Sequence, residues 1–143
     1  MDHLKLYTDR LRSSGLRPTN QRLAICKVLF NRKETFHFTI EKLKKIIEKG
    51  SKKKISLATL YNTVHAFKKK GYLKEISLKG NKTFFDTNIS NHHHFYDEDT
   101  LQLIDIEDEN ISLKNLPKIP SGKKIKDIEI VIKVENNYQN QKK

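Results

Sequence analysis

Residues 56–71 have the sequence SLATLYNTVHAFKKKG, and this stretch decides the fold. Ser56 is of a type that often caps a helix at its N-terminus, and Gly71 suits the position just after a helix ends. The three lysines before Gly71 are favoured by the negative end of the helix dipole. The buried side of this helix is predicted by the apolar residues at helical spacing, which are Leu57, Leu60, Val64 and Phe67. The stretch therefore predicts one complete helix with its own start and stop signals.

Helical patterns also precede this stretch. Residues 3–13 place leucines and a tyrosine at helical spacing. Thr19 is a suitable N-cap for a second helix, and Thr39 is a suitable N-cap for a third within residues 36–50. The part of the chain in front of residue 56 is therefore predicted to be mainly helical.

After Gly71 a period of two replaces the helical spacing. Residues 72–76 alternate, residues 79–82 have the composition of a turn, and residues 83–86 return to apolar types, which predicts a β-hairpin. Helices followed directly by a hairpin with a basic tip are typical of a winged helix-turn-helix domain, which we place at residues 1–88. The other interpretation is a generic α+β domain.

Positive charge is concentrated in the first part of the chain. The 143 residues carry a formal net charge of +12. Residues 1–90 hold 21 Lys and Arg against 7 Asp and Glu, whereas residues 91–143 hold 8 against 10. A general preference for lysine does not explain this asymmetry, so the basic part is expected to bind a polyanion. With the predicted fold, that polyanion is double-stranded DNA.

The single cysteine narrows the chemistry. Because Cys26 has no partner cysteine in the sequence, an internal disulfide and a structural zinc site of four cysteines are excluded. Its place in a predicted helix indicates a core residue. The N-terminal sequence lacks the features of a signal peptide, and no apolar run approaches membrane-spanning length. We therefore expect a cytoplasmic protein with no membrane partner.

Residues 89–135 are predicted to form a small β-rich domain. Within it, residues 101–106 and 125–134 alternate and predict two strands. So few strands cannot bury both of their faces, so a second copy of the chain is expected to cover them in a homodimer. Residues 136–143 are polar and are predicted to be a disordered tail. The predicted fold class is thus α+β, with an N-terminal winged helix-turn-helix domain followed by a small β-rich dimerisation domain.

Short polar side chains indicate that the capped helix enters the major groove of DNA. A major groove accepts one helix, and side chains near its N-terminal end reach base edges. Lysines before the helix and on the hairpin tip are placed to meet phosphates, which give affinity without sequence choice. The predicted DNA-binding residues of these kinds are Lys54, Ser56, Thr59, Tyr61, Asn62, Thr63, Lys79 and Lys82.

Three adjacent histidines, His92, His93 and His94, form a candidate ligand set together with acidic residues nearby. Neutral imidazole is a good ligand for divalent transition metals, and carboxylates complete such sites. In a strand, His92 and His94 face the same way. The alternatives are a solvated polar loop and, remotely, a metal-dependent hydrolase that uses His92, His94 and Asp105. No nucleophile or general base stands out, so we do not expect an enzyme.

Four motifs in order resemble those of the ferric uptake regulator (Fur) family. They are residues 15–22 (GLRPTNQR), 37–43 (HFTIEKL), 55–63 (ISLATLYNT) and 92–94 (HHH). Within that family, residues 61–65, the triple histidine and the Pro-Gly loop before residues 125–134 resemble more narrowly the iron-response regulator (Irr) branch. The resemblance implies a dimeric DNA-binding transcriptional regulator of iron or haem homeostasis that senses iron status.

The resemblance also implies roles for individual residues. Tyr61 is implied to be the recognition-helix tyrosine that contacts bases, and Arg17 the basic residue that reaches a narrow, AT-rich minor groove. The implied ligands of a divalent metal (Fe²⁺, Mn²⁺ or Zn²⁺) are His37, Asp86, His92, His94 and Asp105. In the haem-responsive branch, the implied ligands of haem are His92, His93 and His94. The alternative is a winged-helix regulator without a metal or haem sensor, in which the histidines are solvated.

Overall fold

A computed structural model describes residues 3–78 and 82–138 of the chain. The described residues form two compact units, one ending at Ile89 and the other beginning at Ser90. The first unit contains α1 (His3–Ser13), α2 (Asn20–Phe30), β1 (His37–Phe38), α3 (Ile40–Ser51), α4 (Leu57–Lys70), β2 (Lys74–Leu78) and β3 (Lys82–Asp86). The second contains β4 (His92–Asp97), β5 (Gln102–Glu107), a 3₁₀ turn (Asp108–Asn110) and β6 (Val131–Val134). Within the described ranges, no helix combines the length and the apolar character that crossing a membrane requires.

Side-chain caps begin helices α2, α3 and α4 at the predicted residues. Thr19 and Thr39 each accept a hydrogen bond from the backbone amide three residues later. Ser56 caps α4 in the same way, with its Oγ atom 3.4 Å from the amide nitrogen. Gly71 follows the last turn in the left-handed conformation, with φ at 93°. The start and the end of α4 are therefore set by its own sequence.

The predicted hairpin is formed by β2 and β3, and β1 extends it to an antiparallel sheet in the order β1-β3-β2. In this register, His37 lies opposite Asp86 and Phe38 lies opposite Phe85. The two-residue strand β1 was not predicted, because it is too short to show a period in sequence. Helices followed by this sheet form a winged helix, which confirms the fold predicted for the first unit.

Only one face of α4 packs into the core. Leu60, Val64 and Phe67 are buried, as predicted. The prediction that Leu57 joins them is wrong, since its side chain is 49% exposed. Thr63 takes part instead, because it lies three residues after Leu60 and four before Phe67 and so shares their face. The buried face of α4 is therefore rotated away from Leu57 and toward Thr63.

Cys26 lies in the core, as predicted. Its side chain has no exposed surface and belongs to the same cluster as Tyr7 and Leu29. Burial raises the pKa of the Cys26 thiol to about 12, and the nearby Arg10 offsets this effect only in part. The thiol is therefore neutral at physiological pH and is a poor nucleophile.

The second unit is built on a sheet in the order β5-β4-β6, with β4 antiparallel to β5 and parallel to β6. The strand predicted at residues 101–106 is confirmed with a shift of one residue. The prediction of a strand over residues 125–134 is wrong in its first part, because only Val131–Val134 pairs with β4. A segment of alternating apolar and polar residues forms a strand only where a neighbouring strand pairs with its backbone groups. Of the predicted tail, residues 139–143 lie outside the described residues.

Candidate nucleic-acid interface and metal-binding residues

Helix α4 presents one face to solvent. Before its last turn, the exposed side chains are those of Leu57, Ala58, Tyr61, Asn62 and His65, and the last turn adds three exposed lysines, Lys68, Lys69 and Lys70. Tyr61 and Asn62, two of the predicted base-contacting residues, therefore lie on a surface that is open to a groove, and Tyr61 is 42% exposed. The predicted residue Thr59 is half-buried beside them. Leu57 and Ala58 were not predicted for this face, although Leu57 lies four residues before Tyr61 and so shares its side of the helix.

Thr63 does not belong to this surface, contrary to the prediction. It has no exposed surface, and its hydroxyl donates a hydrogen bond to the Thr59 carbonyl at 2.7 Å. A hydroxyl that is buried and bonded within its own helix is unavailable to a base edge. Threonine is compatible with either role, so only packing against the core decides between them.

Exposed cations lie in the loops before α2 and α4. Residues 52–54 are three exposed lysines between α3 and α4. Arg17 is also exposed, and Arg22 donates a hydrogen bond to its carbonyl oxygen at 2.8 Å, which fixes the backbone from which Arg17 extends. Lys54 thus has the exposure that phosphate contact requires, and Arg17 has the exposure that reaching a minor groove requires. The predicted residue Lys79 lies outside the described residues, and of Lys82 only the backbone at the start of β3 is described.

Glu48 on α3 holds the loop that leads into α4. Its Oε2 atom accepts a hydrogen bond from Lys44 Nζ at 2.6 Å and another from the Ile55 amide at 2.9 Å. The hydrogen bond from Lys44, and after it the one from Ile55, lowers the pKa of the Glu48 carboxyl. The carboxylate therefore fixes the residue that immediately precedes the cap Ser56. Ser56 itself is exposed, and its hydroxyl oxygen serves as the cap of α4.

Within the first unit, His37 and Asp86 form a pair. His37 Nε2 lies 3.1 Å from Asp86 Oδ2. Asp86 has no exposed surface, and its Oδ1 atom accepts a hydrogen bond from the Asn88 amide at 2.8 Å. A buried carboxylate is costly unless donors or cations balance its charge. The pair offers an imidazole nitrogen and a carboxylate oxygen, which are donor types that divalent transition metals bind.

Within the second unit, His92, His94 and Asp105 come together on one face of the sheet. The two imidazole rings have centroids 4.5 Å apart, and Asp105 lies opposite His94 in the β4–β5 register. Asp105 Oδ1 is 3.3 Å from His94 Nε2 and 3.5 Å from His92 Nε2. One ligand atom from each of the three residues lies within 4.8 Å of those of the other two.

The backbone selects which nitrogen of His92 is available to a metal. His92 Nδ1 lies 2.7 Å from the Ser90 carbonyl oxygen. Since a carbonyl only accepts, Nδ1 carries a proton and donates it, and in a neutral ring this leaves the lone pair on Nε2. Metal-ligating histidines commonly have their second nitrogen held in this way. The Nε2 atom of His92 is therefore oriented and in the correct tautomer for coordination.

His93 points to the opposite face of β4 and is held at both ring nitrogens. Its Nδ1 accepts a hydrogen bond from the Ile130 amide at 3.1 Å, and its Nε2 lies 2.9 Å from Asp108 Oδ1. Because the amide only donates, Nδ1 is unprotonated and Nε2–H donates to the carboxylate. No lone pair remains for a metal ion or haem iron, which corrects the inclusion of His93 in the predicted haem set. His93 instead fastens β4 to the 3₁₀ turn and to the residue before β6.

Comparison with known proteins relates the chain to one family of regulators. The sequence profile described as "Ferric uptake regulator family" matches residues 13–134. The chain is 32% identical to the peroxide operon regulator of Bacillus subtilis over 102 residues, which is 71% of this chain and 68% of that protein. This relative supports the family predicted from the motifs. It is named as a peroxide regulator, so it does not support the narrower resemblance to the iron-response regulator branch.

Solved structures have the same fold. The ferric uptake regulator of Pseudomonas aeruginosa, determined with manganese, has a TM-score of 0.64 and 21% identity, and the match covers 92% of this chain and 98% of that one. The Vibrio cholerae ferric uptake regulator has a TM-score of 0.63 and 25% identity, covering 90% and 98%. These matches confirm the α+β fold with a winged-helix domain and a dimerisation domain.

Replacing Glu48 with Ala is expected to loosen the loop before α4 without unfolding the first unit. The Ile55 amide loses its acceptor, so its hydrogen exchange becomes faster, while amides inside α4 keep their protection. Because the pKa of Glu48 is lowered, its contribution is present at neutral pH and is lost as the pH falls through that lowered pKa. Hydrogen–deuterium exchange followed by NMR measures both effects.

Glu41→Ala is the matched control, because Glu41 is exposed in the first turn of the same helix and its removal changes the charge equally. This control is expected to leave the exchange of the Ile55 amide unchanged. Equal exchange of that amide in the wild-type protein and in Glu48→Ala would show that Glu48 does not hold the loop.

Proposed function

Because the chain belongs to the ferric uptake regulator family, we propose that it is a dimeric transcriptional regulator in the cytoplasm, whose affinity for DNA depends on a divalent transition metal. Helix α4 enters the major groove and contacts base edges with Tyr61 and Asn62. The proposed metal ligands are His37, Asp86, His92, His94 and Asp105. Both units contribute ligands, so metal binding restrains one unit relative to the other.

The observation that carries this proposal is the incomplete ligand set in each unit. His37 and Asp86 offer one nitrogen and one oxygen, whereas the second unit offers two nitrogens and one oxygen. Transition metals in proteins take about four to six ligands. Neither set alone reaches that number, and the two sets together do. The buried charge of Asp86 adds a further reason for a cation, because it lies away from water.

Shared ligands give a physical reason for metal to change DNA affinity. A ligand shifts a conformational equilibrium only when it binds one state more tightly than another. An ion that takes ligands from both units binds only the arrangement in which those ligands converge. Metal binding therefore selects one placement of α4 in each protomer and improves the fit of the dimer to paired half-sites. The affinities for metal and for DNA are then coupled.

A small ion suits these residues better than haem. The central histidine of the three, His93, already uses both ring nitrogens. A carboxylate lies 3.3 Å from His94 Nε2 and 3.5 Å from His92 Nε2. Imidazole together with carboxylate is typical of sites for Fe²⁺, Mn²⁺ or Zn²⁺. We therefore propose one of these ions as the physiological ligand, and haem binding stays a prediction from resemblance alone.

A response to peroxide is a second candidate function, favoured by the identity to the Bacillus subtilis peroxide operon regulator. Cys26 is unsuited to sense peroxide, because burial keeps its thiol protonated and shielded. A peroxide response therefore depends on the metal-binding residues and on an oxidisable ion, which among the proposed ions favours Fe²⁺. Control of iron or haem genes remains the first proposal. The two candidate functions share the DNA-binding surface and differ in the signal, which is peroxide in one and iron status in the other.

Replacing His94 with Ala is expected to abolish Mn²⁺ binding, because it removes a nitrogen from the centre of the ligand set. The electron paramagnetic resonance signal of free Mn²⁺ measures binding. Fluorescence anisotropy on the same samples measures affinity for a duplex enriched from a random library by the Mn²⁺-loaded wild-type protein. Mn²⁺ is expected to strengthen DNA binding of the wild type and not of His94→Ala, while both proteins bind equally in EDTA.

His93→Ala is the matched control. It frees the Ile130 amide and Asp108, so the second unit unfolds at a lower temperature, but the folded protein still binds Mn²⁺. The proposal fails if His94→Ala binds Mn²⁺ as tightly as the wild type. It also fails if Mn²⁺ binds the wild type and leaves its DNA affinity unchanged.

Replacing Ile104 with Lys is expected to convert the dimer to a monomer. Ile104, Phe95 and Ile132 are neighbours across the second unit's sheet and share one face. The two isoleucines are 52% and 41% exposed, and a second copy of the chain is proposed to cover them. Sedimentation velocity measures the change. Leu101→Lys is the matched control, since Leu101 is 49% exposed but lies in the turn between β4 and β5, and it is expected to stay dimeric. If the Ile104→Lys protein is also a dimer, this face is not the dimer interface.

Peroxide treatment is expected to weaken DNA binding of the Fe²⁺-loaded protein and to leave the Zn²⁺-loaded protein unaffected, because Zn²⁺ is not redox-active. The Cys26→Ser variant is expected to respond like the wild type. Anisotropy with the same enriched duplex measures the effect. An unchanged Fe²⁺-loaded protein would exclude the peroxide function, and a response lost in Cys26→Ser would place it at the thiol.

A further inference from the structure

A line of five aromatic rings runs through the first unit and ends at the exposed Tyr61. Successive ring centroids are 5.5 Å apart for Phe36 and Phe38, and 5.6 Å apart for Phe38 and Phe85. They are 5.9 Å apart for Phe85 and His65, and 6.0 Å apart for His65 and Tyr61. These separations are those of stacked and edge-to-face aromatic pairs. We refer to these five rings as the ring column.

The inner part of the ring column is fixed by the fold. Phe38 has no exposed surface and Phe85 is 1% exposed. They lie opposite each other in the β1–β3 register, and Phe85 also pairs with Glu75 in β2. A side chain that is buried and anchored on a central strand has little freedom to move. Phe85 is therefore a rigid support for the ring that packs against it.

His65 joins this rigid support to the solvent-exposed face of α4. Its ring packs edge-on against Phe85, with an angle of 83° between the two ring planes. Towards the helix N-terminus it stacks on Tyr61, with only 15° between the planes. Side chains of a helix lean toward its N-terminus, so the ring at position 65 covers the residue four positions earlier. His65 therefore contacts a buried ring on one side and an exposed ring on the other.

We propose that His65 is a positioning residue that holds the Tyr61 ring in the orientation from which it contacts a base. This inference rests on the proposed function of α4 in DNA binding. A tyrosine that is 42% exposed would otherwise populate several rotamers, and ordering it on binding would cost affinity. His37 and Asp86 neighbour Phe38 and Phe85 in sequence, so His65 also links Tyr61 to the strands that carry a pair of proposed metal ligands.

NMR on the full chain without DNA tests the positioning directly. Tyrosine ring protons are observed in a selectively labelled protein, and Tyr61 is assigned with the Tyr61→Phe variant. His65→Ala is expected to move the Tyr61 ring signals to random-coil shifts, because the stacked ring is lost. His65→Phe keeps an aromatic ring at the same place and is expected to retain most of the wild-type shift.

DNA affinity supplies the second readout, with the duplex enriched by the Mn²⁺-loaded wild type and with calf thymus DNA as the non-specific probe. His65→Ala is expected to weaken specific binding roughly three- to tenfold, the range of a lost aromatic pair, and to leave non-specific binding unchanged. His65→Phe is expected to restore most of the loss. In a Tyr61→Ala background, His65→Ala is expected to cost nothing further, because His65 acts through Tyr61.

Two results would overturn the proposal. Unchanged Tyr61 ring shifts in His65→Ala would show that the histidine does not order the tyrosine. An undiminished affinity loss in the Tyr61→Ala background would show that His65 contacts DNA itself. If the wild-type protein enriches no specific duplex, the proposed function fails separately, and the ring shifts alone then decide the role of His65.

Discussion

The pairing of β1 with β3 is the constraint on which the proposed activity depends. This register places His37 opposite Asp86 and, one position along, Phe38 opposite Phe85. Because successive strand residues point to opposite faces, one face carries the ligand pair and the other carries the base of the ring column. A slip of one residue would exchange the two sets and place carboxylate and imidazole in the apolar core. The pairing of these two strands therefore sets the positions of both the proposed ligand pair and the support of α4.

In the second unit, too, the alternation of side chains between the two faces of a strand separates residues with different contacts. His92 and His94 face Asp105, whereas His93 faces away and bonds to Asp108 and to the Ile130 amide. Three consecutive residues of one type therefore have two roles. The outer two are proposed to offer nitrogen lone pairs to a cation, and the middle one bonds to the residues on either side of the sheet. A substitution of the whole triplet would combine a loss of two proposed ligands with a loss of stability.

Local signals in the sequence predicted the parts of the fold that depend on neighbouring residues. The cap Ser56, the stop at Gly71 and the hairpin were all found, because caps and turns are made within a few residues. The side of α4 that faces the core was mispredicted at Leu57 and Thr63. Which side is buried depends on the elements that pack against the helix, and those are distant in sequence. The role of His93 likewise depends on Asp108 and Ile130, which are distant in sequence. The sequence alone does not show that these residues lie beside it.

The location of Mn²⁺ in crystals of the full chain, found by anomalous scattering, tests the central claim most directly. The account predicts one peak per chain at about 2.2 Å from nitrogen and oxygen atoms of both units. The predicted ligands are His37, Asp86, His92, His94 and Asp105. A peak held by residues of one unit alone, or by His93, would contradict it.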